Sequence, residues 1–371
     1  MNDVTVVDPA GRWMQAWHDG FEQQRIGVLR SPGVHHPDPD DMAYIHAHSR
    51  GRSFEATCAG RRRDGVVGPL QRPTTEGFRR FCDDLLRRTG LRDRVRAGRV
   101  RGLRRLPAVS GRSGWEARLD DDTLIHARQV VWAANPRVLR SPSGVDVGGA
   151  IEHSGTVQLA DVLPGERIAV LGGGQTAGQL AMEAARRGTS VTLISRNALR
   201  IADLDVDAGW LMADHLDPFH ATADPAERRR IVEDAQRGSM TADLERALRR
   251  LQVSRVCDAG PLSAWTDERG AVVGFAGVEC PVDRVWVATG ARPDLRAAPA
   301  LAAIAHDGEP HVDGWPVLDE ALAWCPGLHV IGGLAALQLG PAAGNLGGAR
   351  AAADLLAARA PVVPATVGWS P

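Results

Sequence analysis

The chain contains no lysine: all 44 basic side chains are arginine. That removes a phosphate-loop lysine, a Schiff-base lysine and a lysine general base from its chemistry. An arginine-rich chain also follows from GC-rich coding, so runs such as Arg61-Arg62-Arg63 carry no functional meaning alone. Its five cysteines, Cys58, Cys82, Cys257, Cys280 and Cys325, include no C-x-x-C pair. This argues against a disulfide scaffold, a zinc knuckle and a redox dithiol. No stretch reaches the ~18 apolar residues of a bilayer span. Met1-Asn2-Asp3-Val4 lacks the basic and apolar regions of a signal peptide. The expectation is a soluble cytoplasmic protein. Neither sign of charge dominates, with 44 basic against 45 acidic residues, so no nucleic acid or membrane partner is expected and a small-molecule substrate is. What is present is ordinary for a packed chain: 371 residues, 44% apolar and 24% charged, a length that suggests about two domains.

Along the chain, Val4–Val7 reads as a strand, and a loop-rich stretch follows to about Gly68. Phe78, Phe81, Leu85 and Leu86 recur at helical spacing between Thr74 and Thr89. Residues 100–131 read as a meander with turns at Ser110-Gly111 and Asp120-Asp121-Asp122, ending in a buried strand within Gln129–Asn135. A second unit begins after Pro164-Gly165-Glu166: strand Arg167–Leu171, a glycine-rich turn, a helix from about Gln175 to Arg187, and strand Ser190–Ile194. A charged helical stretch spans roughly Asp205–Leu251, and the chain closes on strand Leu328–Ile331 and a helix from about Gly344 to Ala358. The alternation of strand and helix gives the α/β class.

The segment Val170-Leu171-Gly172-Gly173-Gly174-Gln175-Thr176-Ala177 carries G-x-G-x-x-A after a strand and at a helix start. That is the setting a dinucleotide-binding fingerprint needs. Gly172 permits the tight turn, Gly174 lets backbone approach a pyrophosphate, and Ala177 allows close helix packing. The free N–H groups from Gln175 and Thr176 onward would hold phosphate at the positive end of the helix. The next strand ends in Ser195-Arg196 where an NAD site offers an acid. A hydroxyl and a guanidinium suit a 2′-phosphate, so NADPH is expected over NADH.

Three further segments, with that motif, resemble one family. Ala288-Thr289-Gly290-Ala291-Arg292-Pro293 resembles the ATG-x-R-P segment that closes the NADPH domain of two-dinucleotide-domain flavoproteins. Val130–Asn135 resembles the matching first crossing. Gly332–Arg350 resembles the last FAD-contacting strand and helix. The chain looks most similar to FAD/NAD(P)-binding proteins related to flavin-dependent, N-hydroxylating monooxygenases. The resemblance implies an NADPH domain at 164–290, inserted between FAD-domain segments 1–163 and 291–371. It implies FAD as second cofactor, with NADPH reducing it, and hydroxylation of a small molecule or onward electron transfer.

One departure stands out. Such proteins open with their own strand, glycine turn and helix, which cradle the FAD pyrophosphate. Here Val4–Val7 takes the place of the second strand, and Asp8 that of the acid that holds the FAD adenosine ribose. The resemblance implies that about thirty residues of a βαβ unit are missing at the N-terminus. An incomplete gene reading is the favoured expectation, and a variant that has lost its flavin cradle is the other. On the second, the protein is a flavin-free NADPH-binding module without catalysis.

The resemblance also assigns site residues. Trp13 and Trp17 follow Asp8 where the FAD adenosine is covered, with a surface helix as the plainer alternative. The loop with His35 and His36 lies near the flavin. Its His35, His36, Asp38, Asp40 and Asp41 form no expected metal site, because Pro37 and Pro39 hold it extended. Gln71 and Arg72 precede a helix whose start faces the flavin. Gly340, Pro341 and Asn345 lead into the last helix, whose N-terminus favours negative charge. Thr289 and Arg292 belong to the NADPH side. No catalytic base is assigned, and oligomeric state has no sequence signal.

Overall fold

The computed structural model describes residues 4–49, 72–109, 112–268 and 270–359. The chain enters on strand β1 (Val6–Asp8) and turns at Gly11 into helix α1 (Gln15–Gln23). Helix α2 (Thr75–Arg88) starts where the Thr74 hydroxyl accepts the Gly77 N–H at 3.0 Å. Glu76 stands in its first turn and Arg87 and Arg88 in its last, matching the helix dipole, and Phe78, Phe81 and Cys82 form its buried face. After β2 (Val95–Ala97) comes an antiparallel meander of Val100–Val109, Arg112–Leu119 and Leu124–Ala127, then β3 (Val130–Trp132).

The middle of the chain builds a central unit: β4 (Ile151–His153), β5 (Arg167–Leu171), α3 (Gln175–Ala185), β6 (Ser190–Ile194), α4 (Ala242–Arg250), β7 (Ser254–Val256) and β8 (Arg284–Val287). Its five strands are all parallel, in the order β7-β6-β5-β8-β4. The apolar run of β5 is explained by cover on both faces. Ile168 and Val170 pack with Leu180 of α3 and Leu244 and Leu248 of α4. Ala169 and Leu171 point the other way, into a core shared with Ala264 and Val273 of an antiparallel sheet spanning 262–282. The charged stretch 205–251 is not one helix. It breaks into a turn at Ala208–Leu211 and helices Ala213–Ala221, Pro225–Ala235 and α4, because Asp207 and Asp224 cap new starts and Pro225 occupies a first turn.

The two chain ends together build an outer unit. Strand β9 (Ala323–Cys325) lies antiparallel to β10 (Leu328–Val330), which runs parallel to β3, and α5 (Leu346–Arg359) closes the described chain. Leu295, Leu301, Trp324, Leu328, Val330 and Leu334 form its core. These strands of the outer unit fall in two pieces, β1-β2 and β9-β10-β3, with no strand pairing between them among the described residues. Sequence predicts a buried strand at Val130–Trp132, yet Val131 is 48% exposed. The physical reason is alternation along the strand: Val130 and Trp132 face the outer unit's core, and Val131 faces the other way. The architecture is α/β, with the central unit inserted between the two segments of the outer one.

A polar seam joins the units. Gln23 Nε2 donates to the carbonyls of Gly155 (3.2 Å) and Val157 (2.9 Å), and Gln179 Nε2 to those of Gln24 and Arg25, both at 3.1 Å. Arg72 pairs with Asp243 at 2.7 Å.

Candidate dinucleotide site

The glycine turn between β5 and α3 is built as the fingerprint requires. Gly172 sits at φ 141°, in the glycine region, and a β-carbon there would be driven into the Ala288 carbonyl oxygen. Gly174 is the N-cap of α3, with no side chain capping the helix and no acid in its first turn. The leading N–H groups are therefore left for a ligand. Ala177 is fully buried, and Gly178 gives the closest helix approach, since a β-carbon there would stand 2.8 Å from Leu244 Cδ2 of α4. Thr176 is half-buried in the first turn. The Gln175 side chain is already engaged: its Oε1 accepts the Thr241 N–H at 3.0 Å, fixing the segment that crosses in front of α3.

Ser195 and Arg196 part company. Ser195 is 5% exposed, and its hydroxyl donates to the Asn197 carbonyl at 2.5 Å. A β-carbon on Gly173 would come within 2.8 Å of that hydroxyl, so Ser195 braces the turn from beneath rather than reaching for phosphate. Arg196 is exposed and makes no ion pair among the described residues, while its carbonyl accepts the Gly260 N–H at 3.2 Å. At the ends of β8 and beyond, the Thr289 hydroxyl donates to the Arg140 carbonyl. Arg292 pairs at 3.3 Å with Asp294, itself 1% exposed. Both residues therefore fasten the crossing between units.

On the outer unit, Asp8 ends β1 with its carboxylate accepting the Ala10 N–H at 2.8 Å. Trp13 Nε1 donates to the Leu91 carbonyl at 2.8 Å. Trp17 stacks on Phe21 at 4.2 Å and leans on Phe78 at 5.7 Å, so it belongs to the apolar contact between α1 and α2. Gln71 lies outside the described residues. Gly340, at φ 81°, turns the chain into Pro341–Gly344, and the Pro341 carbonyl accepts from Gln236 Nε2 at 2.8 Å. Asn345 Oδ1 accepts the Gly348 N–H at 2.9 Å at the start of α5.

His36 corrects the sequence expectation. It is 1% exposed, packed against Tyr44 and Phe81, and both ring nitrogens are engaged, with the Asp41 carbonyl and the Asp38 N–H. Asp38 is buried and paired with Arg88. His36 is turned inward because its ring completes this apolar cluster, and His35 faces the pocket instead. Among the described residues no group of three or more His, Cys, Asp or Glu could hold a metal ion, and no helix is long and apolar enough to cross a membrane.

Burial lowers the proton affinity of His35, His36 and His153 below the ordinary imidazole value of 6.5; for His35 the neighbouring His36 adds to it. The unfolded chain then binds protons that the folded one refuses. Their contribution is fully present above pH 6.5 and is lost as pH falls below it toward the lowered values. Urea unfolding at about pH 7.5 and about pH 5.5 is expected to show lower stability at the acid end. Equal stability at both would remove these histidines from the account.

The two halves meet at one pocket. Arg30, Ser31 and His35 line it from the outer unit, Leu204–Asp207 and Leu211 from the central unit, and Asn345 from the head of α5. It adjoins the glycine turn, because Gly174 packs on Gly238, and Ser239 hydrogen-bonds Arg30. Asn345 places the head of α5 at this pocket, while the head of α3 lies behind the Gly238-Ser239 segment. Arg30, Asp205 and Ser239 carry no local sequence signal, since their contacts join segments more than a hundred and seventy residues apart.

No sequence-family profile matches the chain, and no curated protein matches it by sequence. Solved structures do match. An ornithine N-hydroxylase of Kutzneria sp. 744, with reduced FAD, NADP+ and L-ornithine, superimposes at TM-score 0.74 and 16% identity over 96% of this chain and 93% of its own. An L-lysine 6-monooxygenase from Pseudomonas syringae gives 0.69 and 18%, covering 96% and 92%. An ornithine hydroxylase from Pseudomonas aeruginosa gives 0.67 and 15%, covering 96% and 90%. The chain has their fold. At these identities the likeness carries the arrangement of the two units and leaves each side chain to be judged on its own geometry. On that geometry the α3 turn fits a nicotinamide dinucleotide: a glycine that must be glycine, an uncapped helix start, and an unpaired Arg196. For FAD the fit is partial. Asp8 ends β1 and the head of α5 lines the pocket, while the glycine turn described in the outer unit, at Gly11 ahead of α1, lacks the G-x-G-x-x-G pattern.

Proposed function

We propose that the protein is an NADPH-using oxidoreductase of the FAD-dependent monooxygenase type, acting on a small molecule. The observation that carries the reading is the glycine turn at the head of α3, whose Gly172 admits no side chain and whose leading N–H groups no side chain caps, with the exposed Arg196 at the end of the next strand. The Gly174, Gln175 and Thr176 N–H groups hold the NADPH pyrophosphate, and Arg196 pairs with the 2′-phosphate. Asp8 accepts hydrogen bonds from the FAD ribose, and the head of α5 favours negative charge at the pocket. His35, kept neutral by burial, offers a hydrogen bond without a charge. When bound, FAD would supply the redox and oxygen chemistry. The NADPH domain proposed begins near Gly144 rather than at 164, because Gly144–Val145 and β4 pair with strands of the central unit. It ends near 290, with the segments before and after forming the other domain. Cytoplasmic location is part of this reading.

The glycine turn at α3 taken alone also fits a second reading, a flavin-free NADPH-binding module. Purified protein titrated with FAD while NADPH absorbance is followed separates the two. NADPH oxidation that rises with added FAD and saturates supports the oxidoreductase. Tight NADPH binding with no oxidation at any FAD concentration supports the module.

A further inference from the structure

Arg30 belongs to the outer unit, yet nearly all its hydrogen bonds leave that unit. Its Nε donates to the Asp203 carbonyl at 3.0 Å, and Nη2 to the carbonyls of Ala202 (2.8 Å) and Leu204 (2.7 Å). Nη1 reaches the Ser239 carbonyl at 3.0 Å and the Asp205 carboxylate, and Nη2 also meets the Ser239 hydroxyl at 2.7 Å. Three consecutive carbonyls, with a fourth opposite them, therefore form a bowl of negative dipole ends around one guanidinium. The side chain is 12% exposed and Ser239 is 1% exposed. A bowl of convergent carbonyls is unfavourable without a cation at its centre. The planar five-donor fork of arginine fills it, and three ammonium protons would not.

The loop so held forms the central unit's wall of the pocket, through Leu204, Asp205 and Asp207. The same loop is bonded to the segment in front of the glycine turn. Met240 N–H donates to the Arg200 carbonyl at 3.0 Å, and Ala202 N–H to the Met240 carbonyl at 3.0 Å. Gly238 packs on Gly174 just upstream. One side chain of the outer unit thereby sets both the pocket wall and the cover of the nucleotide turn.

We propose that Arg30 is a positioning residue, a latch by which the outer unit holds the 202–205 loop and Ser239 in place and so aligns the nucleotide end of the central unit with the pocket. The latch stands on the contacts alone. Its consequence for turnover rests on the oxidoreductase reading.

Amide hydrogen exchange of the full chain, read peptide by peptide, tests it. In Arg30→Ala and in Arg30→Lys, exchange over 202–206 and 238–241 is expected to rise at least about tenfold, with 167–171 unchanged. Arg72→Ala, which breaks another ion pair between the units, should leave the 202–206 peptides as in the parent. NADPH affinity should stay within about threefold, because Arg196 and the head of α3 are untouched, while turnover at saturating FAD falls about tenfold or more. If Arg30→Ala does not fold, Ser239→Ala decides: it removes one acceptor and should raise exchange in the same two peptides about two- to fivefold. Parental exchange in the folded variants overturns the latch, as does full restoration by Arg30→Lys. Raised exchange in a protein that oxidises no NADPH keeps the latch and sinks the oxidoreductase reading instead.

Discussion

Replacing Gly172 by alanine is expected to break the central unit, whereas replacing Gly174 by valine should spare the fold and abolish NADPH binding. At Gly172 two costs add. The backbone sits at φ 141°, where an L side chain is strained by about 1–3 kcal/mol. The β-carbon also collides with the Ala288 carbonyl, a backbone atom at the end of β8 that cannot swing aside. Relieving the overlap costs about as much again, so a loss of roughly 3 kcal/mol or more in urea unfolding is expected. At Gly174 the nearest atom to a β-carbon is Gly238 Cα at 3.8 Å, an ordinary contact. A branched side chain there instead occupies the space in which phosphate must meet the helix N–H groups. Gly174→Val that binds NADPH as the parent does would mean the turn is not the phosphate site.

Arg196→Ala should weaken NADPH binding about ten- to a hundredfold and leave NADH binding nearly unchanged. Arg196 stands exposed just beyond β6 with no ion-pair partner among the described residues, which suits it to pair with a 2′-phosphate. A hydrogen bond to a charged group contributes about 1.5–3 kcal/mol, which converts to that range of affinity. Ser195→Ala should have a different signature, a small loss of stability and no change in the NADPH to NADH ratio. Its hydroxyl is spent on the Asn197 carbonyl. Titration of both variants with both cofactors separates the two residues. Equal loss of NADPH and NADH affinity in Arg196→Ala would move the 2′-phosphate elsewhere.

The central unit was legible because its signals are local. A five-residue apolar strand, a glycine turn and a helix follow one another directly, and each holds its place by near neighbours. The outer unit was legible only in outline. The inward turn of His36 depends on Tyr44 and Phe81, and the reach of Arg30 depends on a loop of the other unit. Side-chain direction in such loops is set by packing that no periodicity encodes. The exposed face of Val131 has the same origin: an apolar triplet reads as buried, while burial is decided by what lies beside it. Gln175 at the head of α3 and Ser195 after β6 are engaged by partners that carry no local signal as such, the Thr241 amide and the Asn197 carbonyl.

The pairing of β3 with β10 sets Val130 opposite Leu328 and Trp132 opposite Val330, with the whole central unit in the chain between them. A ribosome releases residues in order, so the central unit, whose strands lie between Ile151 and Val287, can complete its sheet while β10 is still unmade. Strand β3 must wait, without the partner strand it has in the folded chain, until the C-terminal residues emerge. Closing so long a loop is the slow step expected on refolding from urea. The apolar surface of the outer unit is exposed for that interval, and yield on refolding should therefore fall as protein concentration rises, even though the nucleotide site forms early.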